Sequence, residues 1–196
     1  MRPLKAYIDL SALTFNLKLV KKIAKNSKVM AVLKANAYGH GLIESVKAIK
    51  SAEGIAILTI EEAAKIRKAG FKNTILLLEG LFTAEDIHQA EKLNLNIVVH
   101  NDQQMDYLSD VKLKNSIDVH LKINTGMNRL GFPPDQVDYL IENLNANPNV
   151  SDVTLMTHFA TADEKEGITK QLDYFNRVTN NYNFSSSVAN SAALYK

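Results

Sequence analysis

The sequence predicts an α/β protein in which strands and helices alternate around a parallel sheet. Seven apolar runs of strand length, most of them rich in β-branched residues, follow one another along the chain. Helical signals lie between them, and the connections are short. Repeated β-α units of this length are typical of a parallel sheet. The strand candidates are residues 28–34, 54–58, 74–78, 96–100, 117–123, 152–156 and 186–189.

The helix predictions rest on capping signals and on apolar periodicity. Thr59 and Glu62 form a capping-box pattern, and Gly70 is a stop signal for the same helix. Ser11 and Asn101 are predicted to cap two further helices. Two predicted buried faces consist of Leu13, Leu17, Val20 and Ala24, and of Ile168, Leu172, Phe175 and Val178.

Two details favour a closed barrel over an open doubly wound sheet. In residues 117–123 (IDVHLKI) the apolar residues alternate with Asp118, His120 and Lys122. A barrel strand has this pattern when its outer face packs on helices and its inner face approaches a site. No Gly-x-Gly-x-x-Gly follows the first strand, so a dinucleotide-binding fold has no support, although a flavodoxin-like sheet is still compatible. The prediction is an incomplete (β/α)8 barrel of the TIM type, with about seven of its eight strands.

Composition excludes several classes of function. The 196 residues carry a net charge of +2 with both signs mixed, so no basic stripe is present for nucleic acid or an anionic membrane. No apolar run approaches the roughly 20 residues that cross a bilayer, and the first residues lack the apolar centre of a signal peptide. Cysteine is absent, and the five histidines lack metal-ligand spacing. These features predict a cytoplasmic protein without a metal site.

The segment AVLKANAYGHG, residues 31–41, carries the sharpest chemical signal. Lys34 ends a predicted strand on the same face as Met30 and Val32, so it would point into the mouth of a barrel, where such enzymes keep their sites. An amine held among apolar neighbours loses its charge more easily and can form a Schiff base with an aldehyde. Tyr38 follows just before a glycine-rich turn. A lone lysine at a strand end would instead be interpreted as a solvated residue.

The whole eleven-residue string resembles the pyridoxal-phosphate signature of alanine racemases. Three further segments resemble motifs of the same family and follow in the family's order. They are LKINTGMNRLGF at 121–132, THFATADE at 157–164 and ANSAA at 189–193. The resemblance covers essentially the whole chain. It implies that residues 11–196 form most of the family's cofactor-binding barrel domain.

The resemblance also implies parts of the family's architecture that this sequence does not contain. Residues 1–10 resemble a strand that pairs with a C-terminal β-domain in the family. That domain supplies the second catalytic base, a tyrosine, across the interface of a homodimer. Racemisation needs proton transfer on both faces of the α-carbon. The chain alone is therefore expected not to racemise alanine at a useful rate.

Site residues follow from the resemblance position by position. Lys34 would hold pyridoxal 5'-phosphate and move a proton on one face of the amino acid. Arg129 would contact the phenolic oxygen of the cofactor and the substrate carboxylate, with Met127 beside the substrate. Lys122 is often carbamylated in the family and would hold Arg129 in place. A plain lysine at the rim of the site is the alternative interpretation of Lys122.

The same resemblance assigns the remaining cofactor contacts. Tyr38 would hydrogen-bond near the phosphate, and Leu78 would line the pocket. His158 would lie against the pyridine ring, where the alternative is a strand-end histidine satisfied by backbone. Asn190 and Ser191 lie where a strand turns into a helix, and Ser191 would bind phosphate at the helix N-terminus. Without the family context Ser191 would be an ordinary helix cap.

Three positions depart from the family's usual pattern. Asn124 stands where aspartate is common, Asn128 where glycine is common, and Ser187 where a histidine often precedes ANSAA. The missing histidine usually steadies a later arginine, which puts the tuning of the pyridine nitrogen in doubt. None of the three departures removes a proposed catalytic group.

The function implied by the resemblance is interconversion of L- and D-alanine, which supplies D-alanine for bacterial peptidoglycan. Broad-specificity amino-acid racemases fit the same motifs. The alternative from another class is a small pyridoxal-phosphate-binding homeostasis protein without racemase activity, although such proteins generally lack YGHG and TGMNRLG. A barrel decarboxylase is a weaker alternative for the same reason, and a non-functional fragment is the last.

Overall fold

The computed structural model describes residues 3–196, so the first two residues of the predicted N-terminal strand lie outside the described residues. The chain divides into two compact units, Met1–Ile75 and Leu76–Lys196. Residues 3–9 form neither helix nor strand. The helices and strands of the first unit are α1 (Leu10–Ile23), β1 (Met30–Val32), α2 (Lys34–Tyr38), α3 (Leu42–Ala48), β2 (Gly54–Ile57) and α4 (Ile60–Lys68).

In the first unit, β1 and β2 pair in parallel, with Met30 opposite Gly54. The side chain of Asp9 caps α1 by accepting hydrogen bonds from the backbone N–H groups of Ser11 and Ala12. The prediction that Ser11 itself caps this helix was therefore wrong. A carboxylate two residues earlier reaches the same free N–H groups and also accepts a hydrogen bond from the Ser11 hydroxyl. The capping box of Thr59 with Glu62 is confirmed at the start of α4.

In the second unit, parallel strands alternate with helices. Its strands are β3 (Thr74–Leu77, which begins just before the unit), β4 (Asn96–Val99), β5 (Ile117–Lys122), β6 (Val150–Met156) and β7 (Ser185–Ser187). Its helices are α5 (Asp86–Lys92), α6 (Asp102–Ser109), α7 (Val137–Ala146) and α8 (Thr169–Thr179). Short 3-10 helices cover Pro134–Gln136 and Ala192–Tyr195.

The seven strands of the described residues follow the chain order in the sheet. This order, with a helix after nearly every strand, is that of an incomplete (β/α)8 barrel with seven of the eight strands. The predicted fold class is confirmed, and so are all seven strand positions, whose ends differ from the prediction by at most two residues. The central strands are buried on both sides, as parallel strands covered by helices must be.

A histidine side chain lies within the buried part of this sheet. His120, in the middle of β5, is 7% exposed, and its Nδ1 has no hydrogen-bond partner among the described residues. Burial lowers the pKa of His120 from 6.5 to about 4, against the opposing effect of the carboxylates of Asp118 and Asp152. The imidazole is therefore neutral in the folded chain at neutral pH, because charging it would remove a cation from water without a bound partner.

The buried imidazole makes stability depend on pH. The unfolded chain binds a proton at a pH near 6.5 and the folded chain only near 4, so the unfolded state is favoured increasingly as the pH falls through this window. We expect His120→Leu to flatten the dependence of the unfolding free energy on pH between these values, by at most about 1.4 kcal/mol per pH unit. Urea unfolding at several pH values measures this. The exposed His88→Gln is the control, and an unchanged slope in His120→Leu would contradict the assignment.

Candidate functional site

In the second unit, the register of the strands brings the predicted site positions to one edge. Lys122 ends β5 opposite Met156, which ends β6, and Met156 in turn lies opposite Ser187 at the end of β7. His158 follows the end of β6 by two residues, and Leu78 directly follows β3. Because parallel strands share the direction of their carboxyl ends, these residues lie at the edge where α/β barrels hold their active sites.

Lys122 differs from the other site candidates of this unit in its burial. It is 9% exposed, whereas Arg129 is exposed and Leu78, Met127 and His158 are half-buried. A buried ammonium is stable only when it is paired or when it loses its charge. Within the segment 121–132, the charged group that most needs a partner or the loss of its charge is therefore Lys122, at the last position of β5.

The loop that carries Arg129 is closed on itself by backbone hydrogen bonds. The N–H of Asn124 donates to the carbonyl oxygen of Phe132 (2.9 Å), and the N–H of Phe132 donates to the carbonyl oxygen of Lys122 (2.9 Å). Ile123 and Phe132 also form an isolated parallel bridge. The two ends of the loop 124–131 thus lie next to each other, directly after β5.

Both asparagines that depart from the family's pattern in this loop have a structural role. The Asn124 side-chain oxygen accepts hydrogen bonds from the N–H groups of Gly126 (3.1 Å) and Asn128 (3.0 Å), and its amide donates to the Asn128 side-chain oxygen (3.0 Å). Asn128 has a φ of 56°, a left-handed conformation that suits glycine best and asparagine next. The common glycine at this position therefore has a conformational explanation, and Asn128 tolerates the same backbone.

Gly131 closes the loop at a point where no side chain fits. Its φ is +118°, and a Cβ built there would lie 2.9 Å from the backbone nitrogen of Asn124 and 3.1 Å from the carbonyl oxygen of Lys122. Both contacts are with backbone that β5 and the loop closure hold in place. Glycine is required here both for its conformation and for the close approach of the two ends of the loop.

In the first unit, Lys34 does not end β1 as predicted. The strand ends at Val32, and Lys34 is the first residue of α2. The prediction extended the strand because the apolar run AVL leads directly into the lysine. The backbone turns after Leu33, which is buried and pairs its N–H with the carbonyl oxygen of Ala56 on β2 (2.8 Å).

The residues that follow Lys34 form a left-handed helical turn. Ala35, Asn36, Ala37 and Tyr38 all have φ values between 53° and 54°, and none of them is glycine. This conformation costs roughly 1–2 kcal/mol per residue relative to the right-handed helix. Hydrogen bonds on both sides hold it, including the one from the N–H of Leu42 to the Asn36 side-chain oxygen (2.8 Å). Strain of this kind persists where the surroundings fix it, and it is most common at functional sites.

The turn brings Lys34 and Tyr38 together. The Lys34 Nζ lies 6.0 Å from the centre of the Tyr38 ring. Lys34 is half-buried, and the Tyr38 side chain is 58% exposed. An amine beside an exposed phenol, at the end of a parallel strand, suits an aldehyde that arrives from solvent.

At the end of β7, Asn190 connects two loops of the same edge. Its amide donates to the carbonyl oxygen of Phe159 (3.2 Å), the neighbour of His158, and its side-chain oxygen accepts from the N–H of Ala193 (3.1 Å). Ser191 follows and is exposed at the start of the 3-10 helix Ala192–Tyr195. The prediction that the strand turns into a helix here is confirmed in this shorter form.

The described residues also limit other kinds of site. They include no group of three or more histidines and carboxylates arranged to hold a metal ion. None of the helices in the described part of the chain combines the length and the apolar composition that a membrane span needs. The donors at the edge are an amine, a guanidinium, amides and hydroxyls, which suit an anionic organic ligand.

Comparison with known proteins identifies the family. The family model described as "Alanine racemase, N-terminal domain" matches residues 8–196. The chain belongs to the alanine racemase family. The alanine racemases of Nitrosospira multiformis and Nitrosomonas eutropha are 46% and 40% identical to it, and each alignment covers 100% of this chain. The matches cover 56% and 55% of those two proteins, so the chain spans about half the length of the curated relatives it matches.

A solved alanine racemase has the same arrangement. The crystal structure of biosynthetic alanine racemase from Pseudomonas aeruginosa matches 99% of this chain with a TM-score of 0.94 and 39% sequence identity. The match covers 55% of that chain. The alanine racemase fold thus extends over both units of this chain, from the lysine segment to ANSAA.

The crowding at Gly131 gives a test of the Arg129 loop of this alanine racemase family member. We expect Gly131→Ala to lower the free energy of unfolding by about 2–4 kcal/mol, because the new Cβ adds a backbone clash to the strain of a positive φ. Gly167→Ala is the matched control, since Gly167 also has a positive φ (+62°) but a Cβ added there would meet nothing within 4 Å. Thermal and urea unfolding compare the two variants, and an equal loss in both would refute the close approach at Gly131.

Proposed function

We propose that this chain is the cofactor-binding part of an enzyme that interconverts L- and D-alanine with pyridoxal 5'-phosphate. The observation that carries the proposal is the place of Lys34, two residues beyond the last residue of β1 and at the start of a left-handed turn of four non-glycine residues. A primary amine fixed in this way suits covalent capture of an aldehyde. Membership of the alanine racemase family supports alanine as the substrate.

Each of the assigned residues suits an anionic aromatic aldehyde by its own chemistry. Lys34 supplies the amine, and Arg129 supplies a planar fork of donors for a carboxylate or a phenolic oxygen. Asn190 already orders the start of the segment that contains Ser191, whose exposed hydroxyl can donate to a phosphate oxygen. When bound, pyridoxal phosphate would supply an electron sink that makes the α-proton of an amino acid easier to remove.

In the proposed reaction, Lys34 would hold the cofactor, and its amine, once displaced by the amino group of the substrate, would move a proton at the α-carbon on one face. Arg129 orients the substrate carboxylate, with the half-buried Met127 beside it. His158 would present its ring to the pyridine, and Tyr38 and Ser191 would hold the phosphate. Leu78 contributes apolar surface to the pocket. Each role is carried over from the matching position of the family's motifs.

Lys122 has a role in this proposal because of its burial. The carbonyl oxygen of Lys122 closes the Arg129 loop, and two cations that approach each other in one site repel each other. Conversion of the Lys122 amine to a carbamate would replace this repulsion by an attraction, because the carbamate is an anion. We propose that modified Lys122 steadies Arg129.

Proton transfer on the second face needs a second base, which is not among the residues assigned here. We infer that the chain by itself does not racemise alanine at a useful rate. In the family the second base is expected from a homodimer that includes a further domain. We also propose a cytoplasmic location and a role in the supply of D-alanine for peptidoglycan. Formation of D-alanine from L-alanine by the isolated chain, dependent on Lys34, would contradict the inference of inactivity.

The experiment that tests the proposal is a titration of the chain with pyridoxal phosphate, followed by absorption and by borohydride reduction with mass spectrometry. We expect a visible-edge absorption band and one reduced cofactor on Lys34, because Lys34 is the amine that we assign to the capture of the aldehyde. Lys34→Ala should abolish both. Lys72→Ala, which removes an exposed lysine of the same unit, should retain them.

Two outcomes would contradict the proposal. A band that persists in Lys34→Ala would show that the cofactor reacts elsewhere, and reduction that labels several lysines equally would show only the general reactivity of amines. Binding at Lys34 without alanine racemisation in the longer protein would instead favour a pyridoxal-phosphate-binding homeostasis function.

A further inference from the structure

Gln171 is a buried glutamine that the apolar pattern of α8 did not predict. The residues of α8 that are buried are Gln171, Phe175 and Thr179, which follow one another at intervals of four. The predicted stripe included Phe175 but did not include position 171. A primary amide that is only 9% exposed must satisfy its hydrogen bonds within the protein.

The partners of Gln171 belong to the two loops that follow β5 and β6. Its side-chain oxygen accepts a hydrogen bond from the N–H of Ala160 (2.7 Å). Its amide donates to the carbonyl oxygen of His158 (3.2 Å) and to the hydroxyl of Thr125 (3.5 Å). One side chain thus contacts the backbone on both sides of Phe159 and the loop that leads to Arg129.

The hydroxyl groups next to Gln171 have a fixed direction of donation. The Thr157 hydroxyl donates to the carbonyl oxygen of Ile123 (2.9 Å), so its single hydrogen is used. The Thr125 hydroxyl, 2.8 Å from the Thr157 oxygen, must therefore be the donor of that pair. The Thr125 oxygen can then only accept a further hydrogen bond, and the Gln171 amide is the group that donates it. The chain of bonds runs from Gln171 through Thr125 and Thr157 to the end of β5.

We propose that Gln171 is a positioning residue for the cofactor site: through this chain of bonds it fixes the backbone of His158 and the base of the Arg129 loop. The inference rests on the proposed function, because it assumes that these two loops hold the cofactor. Gln171 is not proposed to contact the cofactor or the substrate. Its effect is to couple two loops from neighbouring strands, so that the ring of His158 and the Arg129 fork keep one arrangement.

Asn149 offers a matched control within the same unit. It is 5% exposed, and its side chain also makes three hydrogen bonds to backbone, at the end of α6 and in the loop that follows. Its oxygen accepts from the N–H of Leu113 (3.0 Å), and its amide donates to the carbonyl oxygens of Leu108 and Val111 (2.8 Å each). Asn149 precedes β6, so these contacts lie at the amino end of the sheet, where barrel residues contribute stability rather than chemistry.

The experiment compares Gln171→Met with Asn149→Leu, each of which removes the amide and keeps a side chain of similar shape. Hydrogen–deuterium exchange of the chain without cofactor reports the order of residues 124–132 and 157–160, and absorption titration reports the affinity for pyridoxal phosphate. We expect Gln171→Met to raise amide exchange in these two loops and to weaken cofactor affinity roughly tenfold, equivalent to about 1.4 kcal/mol. Asn149→Leu should lower the Tm comparably, raise exchange in residues 108–113, and leave the affinity within about twofold of the wild type.

A conservative variant separates positioning from general destabilisation. Gln171→Glu keeps the acceptor for Ala160 but, when ionised, cannot donate to His158 or Thr125. Burial raises the pKa of a carboxyl group, and its protonated form regains a donor. The affinity of Gln171→Glu, expressed as a ratio to that of the wild type at the same pH, should therefore recover as the pH is lowered. This variant also keeps the test decisive if Gln171→Met does not fold.

Failure of the inference on Gln171 and failure of the proposed function would give different results. Equal loss of affinity in Asn149→Leu and Gln171→Met at equal loss of Tm would overturn the positioning role, as would unchanged exchange in both loops of Gln171→Met. If the wild-type chain fails to bind pyridoxal phosphate at Lys34, the proposed function fails for this chain. The exchange comparison still decides in that case whether Gln171 orders the two loops.

Discussion

The parallel pairing of β5 with β6 is the interaction on which the second unit depends. Its register runs the length of β5, and the hydrogen bonds continue past the strand ends, where the N–H of Ile123 donates to the carbonyl oxygen of Met156 (2.8 Å). Because the two strands end together, the loops that carry Arg129 and His158 start at the same level of the sheet. A slip of one residue would turn Lys122 to the other face and bury an apolar residue in its place.

Side-chain amides form hydrogen bonds with the backbone N–H and carbonyl groups that have no partner at the strand ends. This arrangement occurs twice, at β3 with β4 and at β5 with β6. Gln104 on α6 accepts from the N–H of His100 (3.0 Å), and its amide donates to the carbonyl oxygens of Glu79 (2.8 Å) and Leu81 (3.1 Å). It thus joins the loop after β3 to the end of β4, as Gln171 joins the loop after β5 to the end of β6. A loop at the edge of a sheet has backbone groups without ladder partners, and a buried amide on the following helix supplies both a donor and an acceptor. A buried amide of this kind orders the loops at the carboxyl edge of the sheet without apolar side chains at that edge.

Strand positions could be predicted from the sequence because burial on both faces leaves a run of apolar residues. The capping box of Thr59 with Glu62 could be predicted because its two residues are close in the sequence. Gln171 could not be predicted in the same way, since a glutamine between a lysine and a leucine gives the same sequence pattern whether its side chain faces water or the backbone of a loop. Family motifs identified Lys34, Arg129 and His158 as candidates, and the structure shows where each lies, but their chemical roles stay predictions. The start of α1 was misjudged because Asp9 and Ser11 are both good caps, and only the geometry selects between them.

The left-handed turn after Lys34 is the least predictable part of the chain, and its physical explanation lies in what surrounds it. Ala35 and Ala37 prefer a right-handed helix, and a right-handed continuation would satisfy their local propensity. The turn persists because Leu33 is anchored to β2 on one side and because Asn36 accepts the N–H of Leu42 at the start of α3 on the other. With both ends fixed, the strain is confined to the segment that follows the lysine. A change that released either anchor would relax the turn and move Lys34 without touching the lysine itself.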